Sequence, residues 1–169
     1  EGVSALIELG HKRIAMINGY RDYKPSIEKL RGYKRALKDY GILYREEYIR
    51  YGDYHLDGSE SHVRELMQLE QPPTAIFASN DLMAMGAIRA LKHLGLDVPG
   101  DISVIGFDDI MMNEYMQPAL TSVRQEMSRQ GQLAVQILDM IFTGSKKPKK
   151  KYVIEPSVIM RSSCRRLDR

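Results

Sequence analysis

Apolar positions in this chain recur with two alternating periods. The runs "RIAMI" (Arg13 to Ile17), "TAIFAS" (Thr74 to Ser79) and "ISVIGF" (Ile102 to Phe107) are apolar on nearly every residue, the pattern of strands covered on both faces. "YIRYG" (Tyr48 to Gly52) and "LTSVRQ" (Leu120 to Gln125) read as two further strands. Between them the spacing changes to three and four. Ile27, Leu30, Ala36, Leu37 and Tyr40 make one helical stripe that Gly41 closes. Val63, Leu66 and Met67 lie on one face of a segment that two prolines stop. Ala84, Ala87, Ile88, Leu91 and Leu94 line a third helix ending at Gly95. A fourth, from about Met127 to Phe142, carries Gln130, Ala134, Ile137, Leu138 and Ile141 on one side and ends at Gly144. The opening "EGVSALIELGHKR" is amphipathic, and "YVIEPSVIMR" is extended and divided by Pro156 into two expected strands.

Strand and helix alternate with short links, which predicts an α/β fold: an open, Rossmann-like parallel sheet with helices on both faces and right-handed crossovers. The elements after residue 120 break the alternation, as a segment shared with a second lobe would.

Apolar residues make up 43% of the 169 and charged residues 28%, which fits a globular domain and excludes a disordered chain. No apolar run approaches the roughly 18 residues of a membrane span, and the N-terminal stretch lacks the basic and apolar regions of a signal peptide. The single cysteine, Cys164, allows no internal disulfide and favours a reducing compartment. Much of the net charge of +3 sits in "KKPKKK", Lys146 to Lys151, which reads first as a solvated turn and secondarily as a polyanion contact.

In open α/β sheets ligands bind beyond the carboxyl ends of the strands. Here those ends carry "NGYRDYKPS", then Asp53 and Tyr54, then Asn80 and Asp81, then Asp108 and Asp109, then Gln125. Helix capping accounts for Asn80 or Asp81. It does not account for an aromatic ring, an amide and two acids along one edge. Carboxylates and amides hydrogen-bond vicinal hydroxyls in pairs, and an aromatic face covers the C–H side of a sugar ring, so the edge suits a small polyhydroxylated ligand. Catalytic signals are poor. There is no G-x-S-x-G elbow, no Cys/His pairing, no P-loop and no G-x-G-x-x-G, and the histidines have no metal-ligand spacing. Asp108 and Asp109 are adjacent, and adjacent residues at a strand end point apart rather than toward one bond.

Several motifs together, "GHKRIAMI", "RGYKRAL", "PPTAIFASNDLMAMGAIRAL", "VPGDISVIGFDD", "PALTSVRQ" and "VIMRSS", resemble the effector-binding core of the lactose/galactose-repressor (LacI/GalR) family of bacterial transcription regulators, over nearly the whole chain. Periplasmic sugar-binding proteins for transport share the fold and are the alternative. The resemblance implies a cytoplasmic, non-enzymatic homodimer without a cofactor. Its partners would be a small-molecule effector of carbohydrate type and, through a helix-turn-helix domain not in this chain, operator DNA. It implies that residues 1–123 form the C-terminal lobe, 124–155 cross to the N-terminal lobe, and 156–169 return. It assigns Tyr54, Asn80, Asp108 and Gln125 to ligand contact, with the amide of Asn80 facing the cleft. Lys29 stands where the family has an arginine. Lysine keeps the charge but loses the planar fork, which leaves open a simple sugar, a phosphorylated sugar, or a phosphoprotein partner as in catabolite-control members. "YRDYKPSIEK" departs from the family's usual small-residue loop. The ten methionines include Met85, Met111, Met112 and Met116, which with Tyr115 fall where the resemblance places the dimer interface.

Overall fold

The computed structural model describes residues 1–145 and 147–167. Lys146, in the basic run, and the last two residues of the expected return segment lie outside the described residues. Six strands form one sheet in the order β2-β1-β3-β4-β5-β6. They are β1 (Ile14–Asn18), β2 (Ile49–Tyr51), β3 (Ala75–Ala78), β4 (Ser103–Asp108), β5 (Thr121–Arg124) and β6 (Ser157–Ile159). The first five are parallel, and β6 runs antiparallel to β5, so the sheet is mixed at one edge. The helices are α1 (Gly2–Glu8), α2 (Lys24–Asp39), α3 (Glu60–Met67), α4 (Asp81–His93) and α5 (Met127–Thr143).

The continuous apolar runs have the predicted cause. On β1, Ala15 and Ile17 enter the cluster built with Val63, Leu66, Met83, Ala87 and Leu91 of α3 and α4. Ile14 and Met16 enter the opposite cluster with Val3, Leu6, Tyr33 and Leu37 of α1 and α2. Tyr33 is almost wholly buried and donates its hydroxyl hydrogen to the Ile14 carbonyl at 2.8 Å, so its one polar atom is satisfied inside the core. The helix-ending glycines Gly41, Gly95 and Gly144 all have positive φ, as helix termination there requires.

Two expectations change. α2 begins at Lys24, because Pro25 sits in its first turn, where a missing N–H costs nothing. "YVIEPSVIMR" gives one strand, not two. Only Ser157–Ile159 finds a ladder partner, in β5; the stretch before Pro156 has none among the described residues. α5 also has no buried residue, and Val135, Leu138, Ile141 and Phe142 are exposed along it. Among the described residues no helix is long and apolar enough to cross a membrane.

Candidate functional site

The parallel strands point their carboxyl ends to one edge, and the polar groups there form a connected network. At its base lies Asn18, the fully buried last residue of β1. Its amide donates to the Ser26 carbonyl at 2.9 Å, and its Oδ1 accepts from Gly19 N at 3.0 Å and from Ser79 Oγ at 2.7 Å. This one side chain ties β1, β3 and the first turn of α2 together. Asn80 caps α4: its Oδ1 accepts from Met83 N at 2.9 Å, and its amide donates to the Tyr54 carbonyl at 2.8 Å. The cap and the aromatic loop are therefore one unit.

Tyr54 holds φ at +67° and shares a 2.7 Å hydrogen bond between its hydroxyl and Ser26 Oγ. Its ring lies against Gly19, where a Cβ would come 1.9 Å from the ring, so only glycine admits this approach. Lys29 reaches from α2 to donate to the Ser79 carbonyl at 2.8 Å, with its ammonium 4.0 Å from the Phe107 ring centroid and 5.8 Å from that of Tyr54. Burial lowers its pKa, and the charges of Asp108 and Asp81 oppose that shift.

Asp108, the last residue of β4, and Asp109 after it have positive φ, +117° and +57°. With Tyr54 these are the non-glycine residues of positive φ among those described, and all lie at this edge. Backbone of this kind costs about 1–3 kcal/mol per residue and concentrates at functional sites. The two acids face different partners. Asp108 accepts from Gln125 Nε2 at 2.7 Å, and burial raises its pKa against the opposing pull of Gln125 and Lys29. Asp109 takes Arg124 at 2.6 Å and Arg161 at 2.7 Å. Burial alone would raise its pKa, but the hydrogen bonds and charges of the two arginines outweigh it and hold the carboxyl low. The pair is split by role, as the strand-end argument anticipated, and does not frame a shared bond.

Asp81 is the hub that sequence reasoning treated as only a capping candidate. It is fully buried and accepts from Ser122 Oγ at 2.6 Å, Asn113 Nδ2 at 2.8 Å and Ile110 N at 2.9 Å. Burial raises its pKa, and these hydrogen bonds pull the other way. Gly106 makes room: a Cβ there would lie 2.2 Å from Asp81 Oδ1. Asn18 was equally missed as an individual. The signal was an Asn-Gly directly after an all-apolar strand.

The structure thus brings Lys29, Tyr54, Asn80, Asp108 and Gln125 to one edge. Met111, Met112 and Tyr115 sit on a short 3-10 turn and are 77%, 56% and 74% exposed, whereas Met85 and Met116 are half-buried against the α3–α4 cluster. Among the described residues no group of His, Cys, Asp or Glu is placed to hold a metal ion. A hollow of about 660 Å³ lies between α1 and β6, lined by Glu8, Tyr40, Val158 and Arg166, away from this edge. Its Tyr40 hydroxyl donates to Glu8 Oε1 at 2.6 Å, and none of the strand-end residues lines it.

Residues 3–164 match the family model described as "Periplasmic binding protein-like domain". The chain is 36% identical over 163 residues to the HTH-type transcriptional repressor PurR of Vibrio atlanticus (strain LGP32), an alignment covering 96% of this chain and 49% of that protein. It is similar in structure to a transcriptional regulator CelR–cellobiose complex, with a TM-score of 0.86, 36% identity and coverage of 96% of this chain and 50% of that one. It is also similar to a sugar-binding LacI-family regulator from Escherichia coli complexed with phosphate, with a TM-score of 0.91, 36% identity and coverage of 98% and 59%. The chain spans about half the length of the curated relatives it matches.

Proposed function

The chain belongs to the periplasmic binding protein-like family, and its relatives there are LacI-family regulators; from this we propose that it is the effector-binding core of a DNA-binding transcription regulator whose effector is a small carbohydrate. One observation carries the ligand site: side chains from separate strand ends converge on one edge, and the strained backbone of Tyr54 and Asp108 falls there too. Lys29 and Asp108 offset one another, so the edge presents hydrogen-bonding capacity without a net cation and favours a neutral sugar over a phosphorylated one.

In this reading residues 1–123 are one lobe, 124–155 cross to a second, and 156–169 return. α5, which has no fully buried residue, supports that assignment, since its exposed Val135, Leu138, Ile141 and Phe142 need a surface to cover them. Sugar enters between the lobes, contacts Tyr54, Asn80, Asp108, Gln125 and Lys29, and favours the closed arrangement. Its differential affinity for two states is what a linked operator-binding domain would read. Met111, Met112 and Tyr115 supply an exposed apolar surface for a homodimer, while the half-buried Met85 and Met116 pack against the α3–α4 cluster. The protein acts in the cytoplasm, where operator DNA lies, and carries out no catalysis.

The test is calorimetry of the full-length protein against a panel of neutral sugars and sugar phosphates. A neutral sugar binds, and Asp108→Ala reduces its affinity at least tenfold, about the 1.4 kcal/mol of one charge-assisted hydrogen bond. Unchanged affinity in that variant removes Asp108 from the site.

A further inference from the structure

The loop that departs from the family pattern places two tyrosines beside the site. Tyr20 and Tyr23 are the first and last residues of a tight turn, with Tyr23 N donating to the Tyr20 carbonyl at 3.1 Å. The turn is braced at both ends. Asn18 Oδ1 holds Gly19 N before it, and the Tyr23 carbonyl accepts from Ile27 N as α2 begins. Between them Arg21 folds away, with its guanidinium 4.2 Å from the Tyr51 ring centroid. Both tyrosine rings nevertheless face solvent, 54% and 53% exposed, and among the described residues neither hydroxyl has a hydrogen-bond partner. They meet Tyr54 edge-on, at centroid separations of 5.8 Å and 6.1 Å and interplanar angles of 66° and 82°.

We propose that Tyr20 and Tyr23 form a second ring-binding subsite, so that the site takes a neutral oligosaccharide of two or more sugar units rather than a monosaccharide. The inference rests on the carbohydrate reading above. Tyr54, fixed by Ser26 and Asn80, covers the ring whose hydroxyls meet Asp108 and Gln125. Tyr20 and Tyr23 stand steeply to it, with ring centroids about 6 Å away, and would offer aromatic faces to the C–H side of the next unit and phenol groups to its hydroxyls. Exposed aromatics on an ordered turn, contiguous with a polar binding edge, are what an extended sugar needs. Such residues contribute large contact area at low entropic cost, because only two side-chain torsions are fixed.

The experiment is calorimetry on the full-length protein with glucose, galactose, mannose and xylose, their 1,4-linked disaccharides, and the matching phenyl glycosides. The expected result is a disaccharide that binds at least about tenfold tighter than its monosaccharide. The double variant Tyr20→Ala/Tyr23→Ala then lowers disaccharide affinity to that of the monosaccharide and leaves the monosaccharide unaffected. Tyr20→Phe/Tyr23→Phe, which keeps the rings, retains most of the gain. Equal affinity for mono- and disaccharide, or equal loss of both in the alanine variant, overturns the subsite while leaving the carbohydrate reading in place. A preference for the phenyl glycoside over the disaccharide assigns the rim to an aromatic group and also overturns it. Failure of every sugar to bind the wild-type protein overturns the carbohydrate reading, and this proposal with it.

Discussion

Two tiers of polar residues occupy the same edge of the sheet and differ in how completely the protein satisfies them. The lower tier is Asn18, Ser79, Asp81, Asn113 and Ser122, all fully buried, with Asp109 beside them held between two arginines. Its hydrogen bonds run from element to element: β1 to α2, β3 to β1, and α4 to β5 and to the turn after β4. The upper tier is Tyr20, Tyr23, Lys29, Tyr54, Asp108 and Gln125, half-buried or exposed. Its partners are fewer: Gln125 pairs with Asp108, Lys29 reaches the Ser79 carbonyl, and Tyr54 bonds Ser26. In the lower tier Asn113 Oδ1 alone lacks a partner among the described residues; burial so nearly satisfied builds a scaffold, and burial left partly open builds a recognition surface. The lower tier should therefore answer to denaturant and the upper tier to ligand.

The largest effect is expected in the lower tier. Asp81→Ala leaves Ser122, Asn113 and Ile110 N without their buried acceptor and should cost about 4 kcal/mol in urea unfolding. A loss under about 1 kcal/mol would remove the distinction between the tiers. Next comes Asp109→Asn, which should cost about 2–3 kcal/mol at neutral pH by neutralising the charge between Arg124 and Arg161. The folded protein holds this carboxyl below its ordinary value, so its stabilisation is present above the unfolded pKa of about 3.9 and is lost as pH falls through the lower folded value. The gap between wild type and variant should be constant above about pH 5 and shrink in acid; a gap as wide at pH 3 as at pH 7 would show that the charge is not what holds the strands.

In the upper tier Asp108→Ala should shift stability by no more than about 1 kcal/mol at pH 7. Its carboxyl is held above its ordinary value, so its contribution is present below the unfolded pKa and lost as pH rises through the folded one, which leaves little at neutrality. A large stability loss in urea unfolding would move Asp108 into the lower tier. The smallest effect on the fold, within about 0.5 kcal/mol, is expected for Met111→Asp on the exposed turn. Its readout is sedimentation: the variant should shift the protein from dimer to monomer, and an unchanged dimer would place the interface elsewhere.

Much of the architecture was legible because a parallel sheet covered on both faces writes itself as unbroken apolar runs, and "RIAMI" and "TAIFAS" left no other reading. The convergence of Tyr54, Asn80, Asp108 and Gln125 followed from one topological rule about strand ends. The direction of individual side chains did not follow. Asn80 was expected to turn its amide to the cleft, and in the folded chain one N–H of that amide bonds to the Tyr54 carbonyl. Asp81, adjacent in sequence, points down among three donors, which depends on contacts 29 to 41 residues away that no local pattern encodes. The pairing of "YVIE" was over-read for a related reason. Extended propensity is local, but a strand exists only beside a neighbour, and among the described residues that stretch has none.

Hydrogen–deuterium exchange of the full-length protein, with and without the sugar that calorimetry selects, tests the central claim most directly. Bound sugar should slow exchange together in the loops after β1, β2, β3, β4 and β5, around Tyr20, Tyr54, Asn80, Asp108 and Gln125, and leave the opposite edge of the sheet near Arg13 and Thr74 unchanged. Protection confined to the hollow between α1 and β6, or absent from those five loops, would contradict it.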